Sequence, residues 1–310
     1  MTLPPLLRDR LSLPLIGSPM FIISQPDLVI AQCRSGIVGA FPSLNARPSG
    51  MFERWLQQLG EALTEQDAPF AVNLIVHRTN TRLEEDLELC VRYRVPIVIT
   101  SLGAREDVNQ AIHSYGGIVL HDVINNMFAR KAVEKGADGL IAVAAGAGGH
   151  AGTLSPFALV QEIRQWFDGP LALSGAIATG RAIAAARMMG ADLGYMGTPF
   201  IATQEANAEA AYKQMIVDGS AADIVYSDVF TGVLGNYLRP SIVAAGLDPD
   251  ALPKAKDMDF ASLTGGEKKA WRDVWGAGQG IGAIAKVQTA ADFIAGLKAQ
   301  YRAAVEGFTA

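Results

Sequence analysis

The sequence predicts an α/β protein of the (β/α)8 TIM-barrel class, with a C-terminal cap or lid region and a terminal helix. Eight short apolar, β-rich runs alternate with amphipathic helical stretches within residues 1–218, the pattern of parallel strands joined by helical crossovers. Their number suits a closed barrel, and the first crossover lacks the glycine fingerprint of an open dinucleotide-binding sheet. Glycine or small polar residues end nearly every run, which is where barrel enzymes build their sites. A chain of 310 residues, half of them apolar, has material for one barrel of about 250 residues plus an extension.

In chain order, strands are expected at 13–19, 37–41, 70–76, 97–101, 117–121, 139–145, 171–174 and 193–196. Helices are expected at 26–35, 49–63, 80–94, 105–115, 125–135, 157–166, 179–189 and 203–217. Ser155 offers a capping hydroxyl before Pro156 at a first turn, and Thr179 precedes an alanine-rich run. Gly136 and Gly190 stand where helices should stop. Beyond 218 the pattern dissolves until a helical period resumes over 288–305. The expected division is a barrel at 1–218, a cap over the active site at 219–282, and a terminal helix at 283–310 that packs back on the barrel.

Composition excludes several classes of function. A net charge of −5, without a basic stripe, argues against nucleic acid and leaves small molecules as partners. Cys33 and Cys90 are widely separated and read as reduced core thiols, and no histidine or carboxylate spacing suggests a metal. No apolar stretch reaches the roughly 20 residues of a membrane span. The opening residues, with Pro4, Pro5, Arg8, Asp9 and Arg10, lack the order of a secretory signal. A cytoplasmic protein is expected, and a homodimer is compatible with the sequence.

Seven strand ends offer chemistry: Ser18-Pro19-Met20, Asn73, Ser101 to Gly103, His121-Asp122, the glycine loop at 146–150, Ser174-Gly175-Ala176 and Met196-Gly197-Thr198. His150 is the candidate general base, because an unperturbed imidazole pKa of about 6.5 lies near the operating pH. Gly146, Gly148 and Gly149 beside it leave room for a flat, bulky ligand. The loops after the seventh and eighth strands could hold a phosphate on backbone N–H groups, with the Thr198 hydroxyl added. The plainer reading of Gly175 and Gly197 is as turn residues.

Other polar residues read more plainly. His77 and His113 look like surface residues, and His121 either lines the pocket or bonds to backbone. His121 and Asp122 are neighbours on a strand and should face opposite ways, so they are not read as a pair. Met188-Met189 reads as core filling. In the cap, Tyr226, Phe230, Asn236 and Arg239 read first as surface or packing residues, although Arg239 could orient an anionic substrate. The segment 271–282, with Trp271, Trp275 and Gln279, could fold over the pocket mouth.

At Pro19-Met20, Val72-Asn73-Leu74, Gly148-Gly149-His150, Ser174-Gly175, Met196 to Phe200 and Ala277 to Ile281, the chain resembles the nitronate monooxygenases. These FMN-dependent barrel enzymes were formerly called 2-nitropropane dioxygenases. The resemblance spans nearly the whole chain, and the glycine-histidine and Met-Gly-Thr pieces together carry its specificity. It implies FMN across the barrel top, with its phosphate on the amides of Gly175, Ala176, Gly197 and Thr198 and its ring near Met20 and Asn73. It implies further cofactor contacts at Pro19, His121, Gly148, Gly149, Ser174, Met196 and Gln279. His150 would remove the α-proton of a neutral nitroalkane. The nitronate would then give an electron to the flavin, and dioxygen would complete the conversion to a carbonyl compound and nitrite. Preformed nitronate would not need His150.

Three positions depart from the family pattern: Gly146 replaces an acidic residue, Ala176 a glycine, and Asp122 a basic residue. Other readings therefore stay open. One is a flavin reductase of the same superfamily that takes hydride from NAD(P)H and passes it to a quinone or to an enoyl thioester on acyl carrier protein. The others are a barrel that binds or senses without catalysis, and a non-flavin barrel for phosphorylated metabolites.

Overall fold

Each of the eight apolar runs forms a strand. They are β1 (Leu15–Gly17), β2 (Gly39–Pro42), β3 (Phe70–Ile75), β4 (Ile97–Ser101), β5 (Ile118–Val123), β6 (Gly139–Val143) and, after a two-residue strand β7 (Gly149–His150), β8 (Leu171–Ser174) and β9 (Leu193–Met196). The structure, a computed structural model, describes residues 3–252 and 274–309. The eight barrel strands pair in parallel in the order β1-β9-β8-β6-β5-β4-β3-β2. The ends of that row meet: Gly17 N–H donates to the Val38 carbonyl at 2.7 Å, and Val38 N–H to that of Leu15 at 3.1 Å.

Helices follow the strands as the periodicity predicts: α2 (Pro26–Arg34), α3 (Met51–Ala62), α4 (Leu83–Arg92), α5 (Glu106–His113), α6 (Asn126–Glu134), α7 (Pro156–Arg164) and α8 (Gly180–Met188). Asn125 and Thr179 cap α6 and α8 by accepting from Phe128 N–H and Ala182 N–H. Ser155 makes no capping bond; α7 starts on Pro156, which has no N–H to satisfy.

The structure differs from expectation in four places. An unexpected four-residue helix, α1 (Pro5–Arg8), precedes β1 and carries the fully buried Leu7 into the barrel core with Ile16, Val38, Ile97, Ile99 and Leu193. Strand β5 runs two residues past its expected end and takes in Asp122 and Val123. The helix expected at 203–217 begins only at Ala210, as α10 (Ala210–Asp218), and a separate short helix, α9 (Thr198–Ile201), precedes the expected span. Gln204 N–H donates to the Gln288 carbonyl at 2.9 Å, and that tertiary tie holds residues 203–204 out of helix. Finally, β7 lies outside the barrel and pairs with the chain beyond it.

That later chain forms β10 (Ile224–Ser227), β11 (Gly235–Leu238) and α11 (Arg239–Ala244). The three strands β10, β11 and β7 make a small antiparallel sheet, with Gly235 opposite His150 and Asn236 opposite Gly149. The last helix, α12 (Ala290–Thr309), packs on α8 and α2. It comes so close that a Cβ on Gly180 would lie 2.1 Å from the Leu297 carbonyl oxygen. Gly180 N–H donates to Gln300 Oε1 at 2.9 Å.

One ion pair ties chain segments at the strand entries. Arg164 bonds Asp192 at 2.6 Å and also the carbonyls of Phe167, Gly169 and Gly190, while Asp192 accepts from Leu171 N–H. Cys33 and Cys90 are buried free thiols; burial pushes Cys33 up to about 12 and raises Cys90 as well. Among the described residues no helix is long and apolar enough to cross a membrane.

Candidate active site

The carboxyl ends of the barrel strands open into a cavity of about 1310 Å³. This exceeds the roughly 300–1,000 Å³ of an ordinary small-molecule pocket, so there is space for a cofactor and a substrate together. Its wall comes from the strand ends, the glycine loop, the small antiparallel sheet and the segment 276–280. Among the described residues no group of three or more histidines, cysteines or carboxylates could hold a metal.

Most residues singled out by the sequence meet here. Pro19, Met20, Asn73 and His121 line the cavity from the early strands. Gly148, Gly149 and His150 line it from the glycine loop, as do Ser174, Gly175, Ala176, Gly197 and Thr198 from the last two barrel strands. Two do not face it. Met196 is 1% exposed and packs in the apolar core, and Gln279 is exposed on a 3-10 turn. Gln279 contributes through its backbone, donating N–H to the Gly146 carbonyl at 2.9 Å.

The glycines of the loop serve the protein's own packing. A Cβ on Gly148 would lie 2.8 Å from Gly278 N and 3.0 Å from Thr198 Oγ1, so the space that Gly148 leaves is filled by the chain itself. Gly278 N–H donates to Thr198 Oγ1 at 2.9 Å. Thr198 thus anchors the returning segment and keeps one hydroxyl proton for another partner.

The backbone donors divide in a way the sequence does not reveal. Ala176 N–H is directed to the Gly146 carbonyl at 3.2 Å. It is therefore engaged within the protein and does not join the others as a phosphate donor. Among the described residues no protein acceptor stands opposite the N–H groups of Gly175, Gly197 and Thr198. Three donors at the edge of a cavity, without internal partners, are suited to an anionic oxygen. Ala176 also sits at φ +54°, a left-handed conformation that costs an L-residue about 1–2 kcal/mol.

His150 is held from the cap side. Its Nε2 lies 3.0 Å from Thr231 Oγ1, and its strand is pinned by pairing with β11. Asn236 Nδ2 donates to the Ala147 carbonyl at 2.6 Å, and Tyr226 Oη to that of Ala151 at 2.8 Å. Burial lowers the imidazole from its ordinary value near 6.5 to about 4, so it is neutral at pH 7. His121 Nδ1 lies 2.6 Å from Thr100 Oγ1, and burial brings it to about 4 as well.

His121 and Asp122 do not bond to each other. They take successive partners on β4, Thr100 and Ser101, as alternating strand residues should, yet both reach the cavity rim. Of the cap residues, Tyr226 lines the cavity, while Phe230 packs edge-on to Tyr237 with ring centres 4.7 Å apart. Arg239 pairs with Asp250 at 2.8 Å and does not line the cavity. Trp275 stacks on Tyr212 at 4.7 Å; Trp271 lies outside the described residues. Sequence reasoning missed Thr231 and Tyr195. Thr231 lies in a stretch without periodicity, and Tyr195 reads as a core strand residue.

A barrel whose strand ends converge on a large cavity, lined by backbone amides without acceptors among the described residues and by a neutral imidazole, is the architecture of a barrel enzyme. A sequence model described as nitronate monooxygenase matches residues 75–300. The chain belongs to the nitronate monooxygenase family, and is an oxidoreductase. It is 24% identical to a nitronate monooxygenase of Paraburkholderia phytofirmans, over 94% of this chain and 93% of that one. It superposes on FabK from Thermotoga maritima with a TM-score of 0.79 at 23% identity, over 98% and 96% of the two chains. Nitroalkane oxidase from Streptomyces ansochromogenes gives a TM-score of 0.79 at 22% identity, over 98% and 99%. At these identities the two structures speak for the fold.

Proposed function

We propose that the cavity holds FMN and that the protein oxidises alkyl nitronates, and neutral nitroalkanes through His150, to a carbonyl compound and nitrite with dioxygen. The observation that carries this reading is the set of N–H groups at Gly175, Gly197 and Thr198 that have no protein acceptor among the described residues, beside a cavity that His150 also lines. These donors fit a phosphate. The apolar and glycine-lined wall next to them fits a flat ring, and residues 219–252 and 274–282 act as the cap, the remainder of the expected cap lying outside the described residues. Bound there, the flavin supplies the electron chemistry with substrate and dioxygen.

The protein's own share is position, a proton acceptor and shielding from water. Thr231 Oγ1 donates to the Val233 carbonyl at 3.1 Å. His150 Nε2 faces this hydroxyl at 3.0 Å, which fixes the orientation of the ring. With burial lowering its pKa to about 4, His150 is unprotonated at any pH above about 5, at the cost of basicity relative to an ordinary imidazole. The cap pairs directly with this residue's strand through β7 and β11, so the position of the base depends on the cap.

The test is an absorption spectrum of the purified protein, followed by anaerobic additions. A flavin band bleached by nitronate alone supports the reading. Rapid bleaching by NADH or NADPH overturns it in favour of a quinone or enoyl-thioester reductase. A folded, colourless protein that binds no added FMN overturns the cofactor assignment.

A further inference from the structure

The barrel side of the cavity holds a carboxyl that nitronate oxidation does not use. Asp122 Oδ2 accepts a hydrogen bond from Ser101 Oγ at 2.5 Å. Ser101 Oγ in turn accepts from Asn73 Nδ2 at 2.8 Å, and that same amide nitrogen donates to the Ile99 carbonyl at 3.0 Å. An amide nitrogen can only donate, so the polarity of this relay is set: amide to hydroxyl to carboxylate. Asp122 Oδ1 has no hydrogen-bond partner among the described residues, and the residue lines the cavity.

The surroundings leave this charge uncompensated. Among the described residues no lysine or arginine lies within ion-pair distance of Asp122. The titratable groups packed beside it are Tyr195 and His121. Burial and the Asp122 charge keep the Tyr195 phenol neutral, and burial keeps His121 neutral above about 4. Burial also raises Asp122 to about 6, against the opposing pull of Ser101. Above that pH, this part of the wall carries a lone negative charge with one acceptor oxygen toward the ligand.

We propose that Asp122 Oδ1 accepts a hydrogen bond from an N–H group of the bound ligand, so that this wall selects an imide or ammonium donor and rejects an oxyanion. Two ligands can supply that chemistry: the ring imide of a flavin, or an amino group on the substrate. The first source rests on the FMN reading above; the second stands without it.

Asp122→Asn is the discriminating variant. With Ser101 donating to the new amide oxygen as it does to Oδ2, the NH₂ group faces the cavity and an acceptor becomes a donor; in the other amide orientation the negative charge is still lost. Two titrations are run at pH 7.5 on wild-type and variant holoprotein, with folding checked by circular dichroism. They are FMN binding to stripped and reconstituted protein by fluorescence, and calorimetric binding of butylammonium and butyrate. An imide source raises the FMN dissociation constant at least tenfold in the variant. An amine source gives wild-type protein at least a tenfold preference for butylammonium over butyrate, lost in the variant and fading as pH falls through 6. If both measurements move less than twofold in a folded variant, the proposal is overturned. Where the variant does not fold, Ser101→Ala serves, since it keeps the carboxylate but removes the bond that favours its charged form. The pH midpoint of the effect then moves upward, and an unmoved midpoint overturns the proposal. Wild-type protein that binds no FMN rejects the cofactor reading but leaves the calorimetric arm intact.

Discussion

Three ionisable groups of the cavity, His121, His150 and Asp122, should give the protein a characteristic dependence of stability on pH. Folding lowers His121 and His150 from about 6.5 to about 4 and raises Asp122 from 3.8 to about 6. Between pH 4.5 and 6, the unfolded chain carries protons on both histidines and none on Asp122. The folded chain has the reverse arrangement. Unfolding in this window therefore takes up two protons and releases one, and stability falls as pH falls. The net slope is about 1.4 kcal/mol per pH unit, since each proton contributes about 1.4. His150→Gln removes one proton uptake and brings the contribution of these groups to near zero. Asp122→Asn removes the release and doubles it to about 2.7 kcal/mol per unit. His150 is only half-buried, and solvent screening reduces its share of these slopes. Urea unfolding of the three proteins at half-unit steps measures the slopes, and the background from other groups cancels between them. Three parallel curves would refute the burial argument for both residues.

Thr231→Val removes the hydroxyl that holds His150 Nε2. Activity on neutral nitroalkanes should fall about tenfold or more, for about 1–2 kcal/mol of lost positioning, with oxidation of preformed nitronate nearly unchanged; equal losses on both substrates would contradict the assigned role. Leu7→Ala opens a void at the base of the barrel and should cost about 2–5 kcal/mol in chemical denaturation. Gly278→Ala places a Cβ 2.7 Å from the Gly146 carbonyl oxygen. It should cost about 1–3 kcal/mol in thermal unfolding, and lower FMN content at the same time. Ala176→Gly relieves a left-handed alanine and should raise stability by up to about 1 kcal/mol without loss of FMN, since the engaged amide is kept.

The barrel was legible because its signal is local. Eight apolar runs such as 97–101 and 171–174 are buried on both faces and spaced by helical periods, so composition and periodicity suffice to place them. The cavity residues were partly legible for a related reason: barrel sites form at strand ends, and Ser174, Gly197 and Thr198 are set there by chain position alone, whereas His150 is placed by the pairing of β7 with β11. What escaped was every feature that depends on distant partners. Residues 203–209 carry helical propensity, yet the bridge to Gln288 holds 203–204 out of helix. Met196 and Gln279 sit in the right motifs, but one side chain packs inward and the other lies exposed.

The same division runs through the chemistry. Which residue types stand at the mouth of the barrel, and that a histidine is among them, follow from the order of amino acids, because strand, turn and helix signals act over a few neighbours. The protonation state of that histidine, the engagement of the Ala176 amide by Gly146, and the acceptor left open on Asp122 were decided by folding. Each depends on groups brought together from tens of residues away, and both desolvation and hydrogen bonding act through space.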